Sequence, residues 1–161
     1  MPPLDLGRLL LEASRQVGAE VVAELQERGF DDARPGHAVV ALHIDRRSGT
    51  RLGDLADRAR MTKQGMMLVV DELEGRGYVR RVRDPEDARA KVVRLTVRGR
   101  RYVAELRQAL VAVEGRVRRD VGERRFEVLR AALEDLVEGT VADDGEPSED
   151  EGAEGEGSEG G

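Results

Sequence analysis

The chain has 161 residues, with 27 Lys and Arg against 33 Asp and Glu, two His and no Cys. That length fits one domain with a real core or two very small ones, and the missing Cys excludes disulfides, thiolate metal sites, a Cys nucleophile and a thiol redox sensor. No apolar run exceeds five residues, and Arg8 and Glu12 break the N-terminal stretch as a signal peptide, so neither a membrane span nor a leader is expected and the cytoplasm is the expected compartment.

Leu6, Leu10, Ala13, Val17, Val21 and Leu25 recur at helical spacing and predict one long helix over 6–28, stopped by Gly29. Leu9 and Leu11 add apolar surface outside that stripe, so part of this helix is expected to face a second chain. Pro35-Gly36 opens a new element, and the apolar run 38–44 predicts a short buried helix ending near Asp45. Residues 46–49 read as a loop. Two helices are predicted over 52–60 and 62–76. The first turns Leu55, Ala56 and Ala59 inward; the second turns in Met66, Val69, Val70 and Leu73, with Thr62 as its N-cap. The β-branched segments 78–83 and 91–95 flank a seven-residue loop with Pro and Asp at its tip, which predicts a hairpin. Thr96 then caps a long helix in which Val103, Leu106, Leu110, Val113 and Val117 step by three and four. Gly122 interrupts it, and Phe126, Leu129, Leu133, Leu136 and Val137 predict a last helix ending near Glu138.

From Gly139 onward there are nine acidic residues, no basic one and seven Gly. Such a segment buries too little to offset its ordering entropy and is expected to be disordered. The only aromatics are Phe30, Tyr78, Tyr102 and Phe126. The core is therefore expected to rest on Leu, Val, Ala and Met, and a base-stacking reader of single strands is disfavoured.

Charge is unevenly spread. Residues 46–101 hold sixteen Lys and Arg and eight Asp and Glu, a local +8, between flanks of −4 (1–45) and −1 (102–138). This is the footprint of a polyanion-binding segment, although a solvated face in an Arg-rich chain has the same signature.

Helix, tight turn, helix, hairpin is the order of a winged helix-turn-helix. Small residues belong where the two short helices cross, and Ala56 and Ala59 are there. The second helix would present Thr62, Lys63, Gln64, Met67 and Leu68 to a DNA major groove. Gln64 can pair bidentately with adenine, and Lys63 can reach guanine or a phosphate. Thr62 can bond a phosphate at a helix N-terminus that itself favours anions. The hairpin loop is the wing. Arg80, Arg81, Arg83 and Lys91 stand at its base and Arg89 near its tip, where a narrow minor groove attracts Arg. Asp87 is expected to orient Arg89 by a forked pair, with an ordinary surface ion pair as the alternative. Arg51 completes the candidate DNA-binding set.

Several pieces then occur in order: L-x-x-L-A-x-x-A from Leu52, M-T-K-Q from Met61, V-D-E-L-E-x-R-G-Y-V from Val70, D-P-E-D-x-R-A from Asp84 and R-L-T-x-x-G-R from Arg94. Each is weak alone; together they resemble the DNA-binding core of MarR-family regulators, and the helix order extends the resemblance over about 6–138. The resemblance implies a mainly α fold over 1–138 with a small β-hairpin wing. Its DNA-binding lobe would span 46–101, flanked by dimerisation helices over 4–30 and 102–138, with the acidic tail 139–161 outside the pattern. It implies an obligate homodimer on a pseudo-palindromic double-stranded operator, with two recognition helices about one turn apart. It further implies a repressor, nucleoid-associated when bound, released by a small ligand lodged between the dimer helices and the DNA-binding lobes. No cofactor is implied.

Three departures stand out. Arg60 occupies a turn position where helix-turn-helix proteins often have Gly, with an expected strain of about 1 kcal/mol. Met67 and Leu68 are apolar where many such proteins carry Ser and Arg; thymine methyls would suit them, or Leu68 packs on the wing. The acidic tail is expected to compete with DNA for the basic middle and weaken non-specific binding.

His37 and His43 are six apart, which is not a helical ligand spacing, so a core or cap role is expected rather than a metal site. The resemblance leaves His37 as a candidate ligand contact. No Ser sits in a nucleophile elbow and no carboxylate pair stands out, so an enzyme is not expected. Two other readings of the fold remain open: a winged-helix module that binds protein, and an architectural DNA-binding protein without sequence preference. A steep salt dependence would separate DNA from a protein groove.

Overall fold

The computed structural model describes residues 5–142 apart from residue 88. The chain forms two compact units, the first running to Arg116 and the second starting at Val117. In order the elements are α1 (Leu6–Glu27), α2 (Pro35–His43), β1 (Thr50–Arg51), α3 (Leu52–Arg58), α4 (Lys63–Gly75), β2 (Val79–Arg83), β3 (Lys91–Leu95), α5 (Val97–Val121) and α6 (Glu123–Ala142). The expected mainly α fold with a hairpin wing is therefore present, and α5 runs through the junction of the units. Among the described residues no helix is long and apolar enough to cross a membrane.

Three helices of the first unit end in the same way. After α1, the N–H of Phe30 returns to the carbonyl of Leu25 (2.9 Å) and that of Gly29 to Gln26 (2.9 Å). After α3, Met61 returns to Ala56 (2.9 Å) and Arg60 to Asp57 (3.1 Å); after α4, Tyr78 returns to Leu73 (2.8 Å) and Gly77 to Glu74 (2.9 Å). This paired closure needs a left-handed residue one past the cap. Gly fills it twice, but after α3 the residue is Arg60, at φ +49°. A side chain in this region carries strain of about 1 kcal/mol. Arg60→Gly is therefore expected to raise the unfolding free energy by up to about 1 kcal/mol in a urea titration. An unchanged or lower midpoint would mean that the turn is relaxed with Arg in place.

α2 starts three residues earlier than expected, because Pro35 sits in its first turn, where a missing N–H costs nothing. The two-residue strand β1 was not expected. It joins an antiparallel sheet in the order β1-β3-β2, with Thr50 opposite Val93 and Arg51 opposite Val92. The loop before it is pinned by Asp45, whose carboxylate accepts from the Ser48 N–H (2.7 Å), the Ser48 hydroxyl (2.8 Å) and the Arg47 N–H (2.8 Å). Those donors hold its pKa down at about 2.

The inward face of α4 is Met66, Val70 and Leu73; Val69, expected there, is only half-buried. Leu55 and Ala56 of α3 are buried as expected. The core also departs from an aliphatic one. Phe30 meets Tyr102 edge to face at 5.4 Å between centroids, and Tyr78 lies 4.7 Å from Tyr102. All three rings are buried. Scarce aromatics are thus spent in one place, where each removes a large apolar area from water. The Tyr78 hydroxyl donates to Asp32 (2.5 Å), which also accepts from Arg98 (3.2 Å), tying the α1–α2 loop to the starts of β2 and α5.

In the second unit Gly122, at φ +86°, separates α5 from α6. Phe126 is buried beneath the Arg118 guanidinium, 4.4 Å from its ring centroid, and Arg118 also pairs with Glu127 at 2.7 Å. Val128, Leu129, Leu133 and Val137 remain exposed along α6. This helix reaches Ala142, four residues past the expected end. The expectation of disorder for 143–161 lies outside the described residues.

Candidate nucleic-acid interface

The interface is built on α4. Thr62 caps it, its hydroxyl oxygen accepting from the Gly65 N–H at 3.1 Å, and no acidic residue sits in the first turn. The positive end of the helix dipole is therefore left uncompensated and faces outward. Lys63 and Gln64 are exposed, and their side chains make no hydrogen bond or ion pair among the described residues. Met67 and Leu68 follow, 46% and 68% exposed. Thr62, Lys63, Gln64, Met67 and Leu68 thus share the outer surface of one helix, as the sequence anticipated.

The acids of α4 lie further along and are all held. Arg81 pairs with Asp71 at 2.5 Å and forks onto Glu74. Glu74 also accepts the Arg81 backbone N–H at 2.7 Å. Arg81 was expected to contact DNA; its guanidinium instead fastens β2 to α4. Glu72 accepts from His37 Nε2 at 2.9 Å, and this bond, chiefly, lowers the Glu72 pKa. His37 is buried, with Nδ1 unpartnered among the described residues, and its bond to Glu72 braces α2 against α4. Among the described residues no cluster of His, Cys, Asp or Glu could hold a metal ion.

The wing is an antiparallel hairpin in which Arg80 stands opposite Arg94 and Arg83 opposite Lys91. Like charges set directly across a pair of strands are destabilising. No acid intervenes: among the described residues the side chains of Arg80, Arg83, Arg89 and Lys91 have no ion-pair partner. The wing root is closed by Arg51, whose Nε and Nη2 lie 2.7 and 2.6 Å from Asp84 Oδ2. Asp84 is buried, and the Glu86 N–H together with Arg51 holds its carboxyl below the usual range. Arg51, expected on DNA, is therefore tied to the wing root. Asp87 differs as well. Its carboxylate accepts the backbone N–H of Arg89 at 3.0 Å, a turn contact, and does not fork onto the guanidinium. Arg89 is thereby positioned through its main chain and its charge stays unmatched.

Sequence reasoning missed two contributors. Asp84 was read only as loop punctuation, and its role is visible once β1 brings Arg51 alongside. Arg60, noted for strain, is exposed and unpaired next to the start of α4, so its charge joins the face. The sequence has only two lysines, Lys63 and Lys91, and both lie on this face.

A helix with a bare, basic N-terminus, a left-handed turn before it and a cationic hairpin beside it define a winged helix-turn-helix. The MarR family model matches residues 33–90. The exopolysaccharide II synthesis transcriptional activator ExpG of Rhizobium meliloti is 31% identical over 110 residues, which span 68% of this chain and 56% of that protein. The chain thus matches little more than half the length of this relative. CouR from Rhodococcus jostii RHA1, solved with p-coumaroyl-CoA, is 26% identical with a TM-score of 0.66, covering 82% of this chain and 91% of that one. The transcriptional repressor CouR bound to a 23-mer DNA duplex is 24% identical with a TM-score of 0.70, over 83% and 92% of the two chains. Residues 33–90 thus match the MarR family, and the relatives ExpG and CouR are named as transcriptional regulators.

Proposed function

We propose that this protein is a homodimeric, sequence-specific double-stranded DNA-binding regulator. It inserts α4 into the major groove and the wing loop 84–90 into the minor groove of a pseudo-palindromic operator. The observation that carries this reading is the hairpin register. Two cation pairs face each other across the strands with no acid paired to them among the described residues, in a lobe where Arg51, Arg76, Arg81 and Arg98 are each paired with an acid. A polyanion offsets that repulsion and releases its own counterions on binding. CouR, at 24% identity, has been captured on a DNA duplex, which supports the reading by likeness of fold.

The second copy covers the apolar faces that each unit leaves open. Leu6, Leu9, Leu11 and Val17 are exposed on α1, and Val128, Leu129, Leu133 and Val137 on α6. Exposed apolar side chains in such number suit an interaction surface. The regulator acts as a repressor that a small-molecule effector releases; CouR is named a repressor and has been solved with p-coumaroyl-CoA, which supports this mode.

Selection of bound duplexes from a random library, by the purified full chain near physiological salt, tests the proposal. An enriched inverted repeat with half-sites about one turn apart is the expected result. Binding without enrichment would point to an architectural role. Absence of binding at any salt would leave the protein-interaction reading, for which the exposed Met67 and Leu68 are the argument. On the enriched duplex, Gln64→Ala is expected to lose about 1–3 kcal/mol of discrimination at one position per half-site. Arg89→Ala is expected to weaken all sequences alike and reduce the salt slope by about one per subunit. Loss of affinity in both variants with unchanged preference would overturn this division of roles.

A further inference from the structure

We infer that Leu68, with Met67 beside it, determines operator specificity by selecting thymine through its C5 methyl group. The inference rests on the DNA-binding reading. Of the other apolar side chains of α4, Met66, Val70 and Leu73 are fully buried and Val69 is half-buried. Leu68 is 68% exposed and Met67 46%, so neither is used by the core and Leu68 does not pack on the wing. Gln64, Leu68 and Asp71 are spaced by four and three on one helix face, which places Leu68 one turn beyond Gln64 on the same outward line.

Charge around the patch decides what covers it. Lys63, one turn before Met67, and Arg60, ahead of the helix, are exposed and without an ion-pair partner among the described residues, and Thr62 caps the helix. Asp71, the next residue on the line, is paired with Arg81 at 2.5 Å, a cation it shares with Glu74. An apolar spot on a helix that starts with a free cation matches a major groove, where a methyl group is offered by one base alone. Thymine presents its C5 methyl there, whereas the other bases offer donors, acceptors and ring C–H edges but no methyl. Leucine has neither donor nor acceptor, so its discrimination acts through that methyl.

Deoxyuridine differs from thymidine by this one group, which makes the test direct. Each thymine of the duplex enriched by the full chain is replaced in turn by deoxyuridine, and binding of the wild-type protein is measured. The expected result is about a four-fold loss of affinity at one or two thymines per half-site, the worth of one buried methyl. Leu68→Ala or Met67→Ala should bind thymine and uracil duplexes alike at such a position, while Gln64→Ala should keep the difference. An enriched motif in which no uracil substitution weakens binding overturns the inference and leaves the DNA-binding reading standing. A thymine dependence that survives in both Leu68→Ala and Met67→Ala overturns the assignment to these residues. Failure to enrich any motif overturns both readings.

Discussion

Gly99→Ala is expected to destabilise the protein by about 3 kcal/mol or more, the upper range for forcing a methyl into a packed site. A Cβ built on Gly99 lies 1.9 Å from the backbone carbonyl oxygen of Tyr78 and 3.2 Å from Leu95. The first neighbour is main chain and cannot swing aside. That carbonyl already accepts from the Thr96 N–H at 3.0 Å, and the Thr96 hydroxyl donates to the Gly77 carbonyl at 2.6 Å. The Gly99 N–H in turn donates to the Thr96 hydroxyl at 3.0 Å. The first turn of α5 is therefore seated directly on the β2 entry, and a methyl would pry the two apart. Fully buried Tyr102, one turn further on, would move with it. Urea unfolding of the variant checks this; a midpoint near the wild-type value would mean that the start of α5 shifts freely.

Binding to the selected duplex is expected to fall about 10³-fold per subunit, about 10⁶-fold for a dimer on both half-sites, between 50 and 200 mM salt. Six exposed cations, Arg60, Lys63, Arg80, Arg83, Arg89 and Lys91, have no ion-pair partner among the described residues. If each meets one phosphate, log K falls against log salt with a slope of about −5 per subunit. Arg51 and Arg81 add nothing to this slope, because Asp84, Asp71 and Glu74 already neutralise them. The measurement therefore counts which arginines are free. A slope shallower than about −2 would remove the electrostatic part of the proposed mode, and neutralising Arg81 or Arg51 should change stability more than it changes the slope.

Element order was legible because hydrophobic period and caps are local. The spacing of Leu6 to Leu25 marks α1, and Thr62 marks the start of α4. Which arginines are spare was not legible. Arg80, Arg81 and Arg83 look alike along the chain, yet only Arg81 meets two carboxylates of α4, an encounter set by the packing of β2 against that helix. Strand β1 escaped notice because two residues have no period, and its partner lies more than forty positions away. The aromatic cluster was missed for a related reason. Phe30, Tyr78 and Tyr102 are far apart in sequence, and scarcity says nothing about convergence. The T-x-x-G piece was visible as a pattern, but its cause is the closeness of Gly99 to the Tyr78 carbonyl.

The chain's near-exclusive use of arginine has a chemical corollary. Lys63 at the start of α4 and Lys91 at the wing root are the only side-chain amines in all 161 residues. An amine-directed acyl reagent can therefore modify side chains nowhere else, and each acylation would erase a charge from the same basic face. A single class of covalent modification, natural or applied, thus addresses this surface selectively and leaves the arginine pairs that hold the fold untouched.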